Sequence, residues 1–132
     1  MVGVGHVCLM KLPFHGLLTL CDEDGIIYAI ICKKCNLPYV GETSYQLNKR
    51  FGEHLRDTEY TNGTRPPPPS FRPTHVSTHF SSFGHSMEDL SVFIICKAPS
   101  SEGQRLLLES QFIFKFKSFQ PTGLNSPNIY FP

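Results

Sequence analysis

Four side chains of the types that bind a soft metal stand at Cys32, Cys35, His79 and His85. A Cys-x-x-Cys pair lets two thiolates from one turn reach the same ion, and two imidazoles from a second segment complete a tetrahedral zinc set. His75 precedes His79 by four residues and would share a helical face with it, so the sequence leaves open which imidazoles take part. The competing reading makes Cys32 a small apolar residue at the end of a buried strand, Cys35 a turn residue and the histidines exposed. Cys8, Cys21 and Cys96 read as ordinary thiols.

A second group surrounds the first. Tyr28 and Tyr39 flank the cysteine pair, and Arg50 and His54 lie one helical turn apart. Glu109 interrupts an otherwise apolar stripe, and a carboxylate on a buried face calls for a partner or a metal. Each has a bland alternative. The tyrosines could be a cross-strand aromatic pair, Arg50 and His54 a solvated helix flank, and Glu109 the partner of Arg105 one turn earlier.

The elements that must position these groups are legible. IIYAIIC, from Ile26, is a continuous apolar, β-branched run of strand length. LPYVG follows it, and Lys33-Lys34 can serve as a two-residue hairpin turn, a register that places Tyr28 opposite Tyr39. Pro38 marks an edge or a bulge. SYQLNKRFGEHLRD reads as an amphipathic helix capped by Thr43 or Ser44, with Leu47, Phe51 and Leu55 on its apolar stripe. YTNGTRPPPPSFRP is an extended polar connection, THVSTHFSSFGH a short helical segment and DLSVFIICKA a third strand. SSEGQRLLLESQFIFKFKSF is long for a strand and is assigned to a helix. The tail PTGLNSPNIYFP is turn-rich and packs irregularly over the core.

The chain has 132 residues, enough for one domain with a single core. With 12 basic and 11 acidic residues the net charge is +1, which excludes a strong overall field towards nucleic acid and leaves any such contact to a local patch. An odd cysteine count with one close pair suits a reducing compartment. His6, Lys11 and His15 break the apolar character of the first twenty residues, so neither a signal peptide nor a membrane span is expected there.

Taken together, Ile26-Ile27-Tyr28, Tyr39-Val40-Gly41-Glu42-Thr43, Leu47, Arg50 and His54 resemble the GIY-YIG nuclease family over residues 25–125. The cysteines within the hairpin, VSTHFSSFGHS, RLLLESQFI and PTGLN resemble more narrowly the GIY-YIG endonuclease domain of Penelope-like retroelements. The resemblance implies an α+β fold, a small three-stranded antiparallel sheet flanked by helices. It leaves residues 1–24 as a segment of unknown role and 126–132 as a tail. It also implies a metal-dependent endonuclease that nicks one strand of DNA. Tyr28, Tyr39, Arg50, His54 and Glu109 would be its catalytic residues, Glu109 would hold Mg²⁺ or Mn²⁺, and Asn125 would support the site. Cys32, Cys35, His79 and His85 would hold structural Zn²⁺. The implied location is intracellular and nuclear. The alternative is a zinc-stabilised nucleic-acid-binding remnant without catalytic activity. Tyrosine is a poor base at its usual pKa of about 10, so either Tyr28 is activated or its proton passes to His54.

Overall fold

The computed structural model describes residues 25–126; the expectations for residues 1–24 and for the last six residues of the tail lie outside them. Strand β1 (Ile26–Cys32) is apolar on both faces because it is the middle strand, with β2 (Pro38–Thr43) on one side and β3 (Leu90–Lys97) on the other. Both pairings are antiparallel. Pro38 therefore lies on an edge strand, where its missing N–H costs no ladder bond.

The hairpin departs from the expected register by two residues. Tyr28 pairs with Gly41 and Ile30 with Tyr39, instead of Tyr28 with Tyr39. The turn holds four residues rather than two: Cys32 N–H donates to Leu37 O at 3.1 Å, and Asn36 N–H donates to Cys32 O at 2.7 Å. Asn36 carries the left-handed conformation the turn needs, with φ 58°. A two-residue turn would have required positive φ from lysine, whereas asparagine tolerates it. A shift of two preserves side-chain parity, so Tyr28, Tyr39 and Cys32 still share one face.

Helix α1 (Leu47–Asn62) covers that face. It starts later than expected, at an N-cap Gln46 that makes no side-chain cap. Thr43 instead ends β2, and its Oγ1 accepts the Tyr45 N–H at 3.2 Å. The buried stripe is Leu47, Phe51, His54 and Thr58, with Leu55 only partly covered, because a 3.6-residue repeat drifts away from strict intervals of four. The helix also runs three residues into the expected connection and stops at Gly63, φ 85°.

Helix α2 (His75–Ser81) begins at a capping box in which Thr74 and Ser77 satisfy each other's backbone N–H groups. It packs Val76 and Phe80 into the same core as Tyr28 and Phe51. Helix α3 (Glu102–Phe116) confirms the helical assignment and lies on the opposite face, where Ile113 meets Ile27, Ala29, Val40 and Cys96. The described part of the tail is tied to the outer edge of β2, since Leu124 N–H donates to Pro38 O at 2.8 Å and its side chain is buried. The result is an α+β sandwich of helices around a three-stranded sheet.

Candidate active site

Tyr28 is fully buried at the centre of the sheet, and its ring lies across Gly41 on the neighbouring strand. A Cβ at position 41 would come within 2.5 Å of the Tyr28 Cζ and Oη, so the glycine makes the space the phenol occupies. The phenolic oxygen is 2.8 Å from His54 Nε2 and accepts from Arg50 Nε at 3.2 Å. Tyr39 joins the group from β2, with ring centroids 6.3 Å from Tyr28 and 5.7 Å from His54.

The helix that supplies Arg50 and His54 buries one and half-buries the other. His54 is 5% exposed, and burial, then the Arg50 charge, push its pKa down to about 3, so the imidazole is neutral at physiological pH. Burial likewise raises both phenols, Tyr28 well above the usual range, so neither is anionic there. Arg50 Nη1 donates to Glu53 Oε1 at 2.7 Å, and Tyr45 Oη lies 2.6 Å and 2.7 Å from the two Glu53 oxygens. His54 is thus not part of a solvated flank.

Glu109 reaches the same place from α3. Burial first, then the Glu42 charge, push its carboxyl up to about 7, against the Glu42 backbone N–H that donates to it and the Arg50 guanidinium. Arg105 is engaged elsewhere, with Nε on Glu42 Oε1 at 3.0 Å and Nη1 on Ser100 O at 2.7 Å. Asn125 grips the edge strand: its Oδ1 accepts Val40 N–H at 2.8 Å and Ser118 Oγ at 2.6 Å, and its Nδ2 donates to Val40 O at 2.8 Å.

Tyr39, Arg50, His54, Glu109 and Asn125 line one cavity of about 390 Å³, with Tyr28 directly behind its wall. Asp57 and His75 line it too, and sequence reasoning did not place them there. Asp57 is one turn beyond His54, a spacing that could have signalled it. His75 is brought in by the docking of α2, with Nδ1 3.1 Å from Gln120 Nε2, and so does not belong with the cysteines.

The metal-type residues form a separate cluster. One donor atom each from Cys32, Cys35, His79 and His85 lie within 4.8 Å of one another. Cys35 Sγ is 3.1 Å from His85 Nε2, and His79 Nε2 is buried with no hydrogen-bond partner. The His85 Nδ1 lies 3.2 Å from Ser82 Oγ and 3.3 Å from Phe83 O, which leaves Nε2 as the nitrogen that faces the cluster. One backbone and one side-chain bond hold the two segments together: Lys33 N–H donates to Asp89 O at 2.6 Å, and Lys34 Nζ donates to Gly84 O. An orphaned buried nitrogen beside two thiols and a second imidazole is a donor set that fits a tetrahedral cation.

A family model for the GIY-YIG catalytic domain matches residues 24–123. The chain belongs to the GIY-YIG family. Membership carries nuclease activity in general and a nucleic-acid substrate with it. No curated protein and no solved structure gives a match. In the GIY-YIG frame the pattern of Tyr28, Tyr39 and Gly41 has a physical reason, the phenol of β1 lying over the glycine of β2. No helix among the described residues is long and apolar enough to cross a membrane.

Proposed function

We propose that this GIY-YIG chain is a divalent-cation-dependent DNA endonuclease that hydrolyses one phosphodiester and nicks a single strand, with zinc bracing its hairpin. One observation carries the reading: Tyr39, Arg50, His54, Glu109 and Asn125 come from four separate segments and line one cavity. Glu109 would hold Mg²⁺ or Mn²⁺, since a half-buried carboxylate whose ionisation is disfavoured fits a cation that neutralises it. When bound, such a cation supplies charge neutralisation at the phosphoryl oxygens and the departing 3′ oxygen. Arg50 would present its planar guanidinium to the phosphate from the α1 side of the cavity. Tyr39 is the phenol on the cavity wall, beside His54, where it would meet the attacking water. Tyr28, behind it, fixes the His54 ring and the Arg50 fork through one oxygen.

Cys32, Cys35, His79 and His85 would hold Zn²⁺, joining the hairpin turn to the segment after α2. This cluster, together with VSTHFSSFGHS and PTGLN, supports the narrower assignment to the domain of Penelope-like retroelements, with nuclear DNA as substrate. A second reading, a nucleic-acid-binding module without cleavage, draws support from the ion pair that already occupies Arg50. Supercoiled plasmid incubated with purified protein and Mg²⁺ separates the two. The nuclease reading predicts open-circular product that chelator abolishes; salt-sensitive binding with no product supports the second.

A further inference from the structure

Around Arg50 lies a polar network whose outer members the proposed chemistry does not use: Glu53 on the guanidinium, and Tyr45 on Glu53. We infer that Glu53, steadied by Tyr45, is a positioning residue that sets the orientation of the Arg50 guanidinium in the cavity wall. This rests on the nuclease reading above for its consequence in catalysis, though not for the geometry.

Arg50 is a long, flexible side chain held at two points, Nε to the Tyr28 oxygen at 3.2 Å and Nη1 to Glu53 at 2.7 Å. Glu53 is three residues on and shares the flank of α1. Its carboxylate is held from the far side by Tyr45, in the turn between β2 and α1, through contacts of 2.6 Å and 2.7 Å. Partial burial disfavours the Glu53 charge, but the Tyr45 and Arg50 bonds outweigh it and keep the carboxyl below its usual range. Two bonds in one plane fix a planar fork more narrowly than either alone, and a phosphate reads that plane. The ion pair is 28% and 33% exposed, where such pairs add little to stability, so orientation is what the arrangement supplies.

The test compares the parent chain with Glu53→Gln and Tyr45→Phe in single-turnover nicking, in DNA binding under chelator, and in the NMR signal of the Arg50 Nε–H. Positioning predicts that Glu53→Gln nicks about tenfold to a hundredfold more slowly, binds DNA at least as tightly because a negative charge has gone, and loses the protected Nε–H signal. Tyr45→Phe should show the same pattern in smaller measure. Unchanged nicking in Glu53→Gln overturns the inference, and so does slow nicking with the Nε–H signal intact. If the parent itself fails to nick, the nuclease reading falls, and the Nε–H signal alone decides whether Glu53 positions Arg50.

Discussion

The phenolic oxygen of Tyr28 lies 2.8 Å from Nε2 of His54, a bond between the central strand and the helix above it in which both partners are buried. It ties the sheet core to the cavity wall, so changes that seem structural should register in catalysis, and the reverse.

The first consequence concerns pH. His54 carries a pKa pushed down to about 3 by burial and by Arg50. The fold disfavours the imidazolium, so the stability kept by a neutral ring is complete above the unfolded histidine pKa of about 6.5. It is lost as pH falls from there towards about 3, at up to about 1.4 kcal/mol per unit. His54→Gln, which can still hydrogen-bond Tyr28, should flatten this slope. Thermal unfolding of both chains from about pH 7 to about pH 5 reads the difference, since the cluster histidines are common to both. Equal slopes would contradict it.

Glu109 has the opposite sign. Its carboxyl is pushed up to about 7 by burial and by Glu42, so its protonated form suits the fold and its contribution is lost as pH rises from about 4.3 through about 7. Glu109→Gln should therefore be more stable than the parent by about 1–2 kcal/mol near pH 8 without divalent cation. Mg²⁺ should narrow the gap by stabilising only the parent. A Glu109→Gln chain less stable than the parent under those conditions would show that the carboxylate is well paired in the fold.

Gly41 makes a purely steric prediction. The Cβ of Gly41→Ala would meet the Tyr28 ring at 2.5 Å. Overpacking of this kind costs about 1–3 kcal/mol, and the displaced phenol should lose its bond to His54. Denaturant unfolding and nicking should both suffer; a variant that matches the parent in both would mean the sheet yields without moving Tyr28.

Asn125→Asp tests the edge-strand grip. The substitution replaces a donor with an acceptor 2.8 Å from Val40 O, turning a bond into a repulsion. Leaving that buried carbonyl unsatisfied costs about 1–3 kcal/mol. The urea midpoint should fall accordingly, and an unchanged midpoint would show that the tail is not held through this amide.

For the Cys32, Cys35, His79 and His85 cluster, the expected result is one zinc per chain by elemental analysis and a lower melting temperature in chelator. Cys35→Ser should lose both. A purified, folded chain carrying no zinc and indifferent to chelator would overturn the zinc assignment.

How far the sequence led depended on whether a feature was local. The apolar run of β1 and the carboxylate in the stripe of α3 could be read from periodicity alone. The Cys-x-x-Cys spacing marked a metal-type donor pair, and the fold brings His79 and His85 to within 4.8 Å of it. The register did not follow, because it hung on whether lysine or Asn36 would turn the chain, and side-chain parity hides a shift of two. A stripe counted in fours, Leu47, Phe51 and Leu55, leaves His54 beside it, whereas the helix buries positions four, three and four apart, His54 among them. His75 enters the cavity only when α2 docks on α1 after a twelve-residue connection, 63–74, which no local pattern encodes.

The most direct test of the central claim is single-turnover cleavage of an end-labelled DNA duplex with Mg²⁺ by the parent, Glu109→Ala and Arg50→Ala, with binding measured in parallel. If these residues form one hydrolytic site, the parent nicks one strand, Glu109→Ala binds but does not cleave, and Arg50→Ala loses at least about a hundredfold in rate. Cleavage by Glu109→Ala at the parent rate would place the chemistry elsewhere and contradict the account.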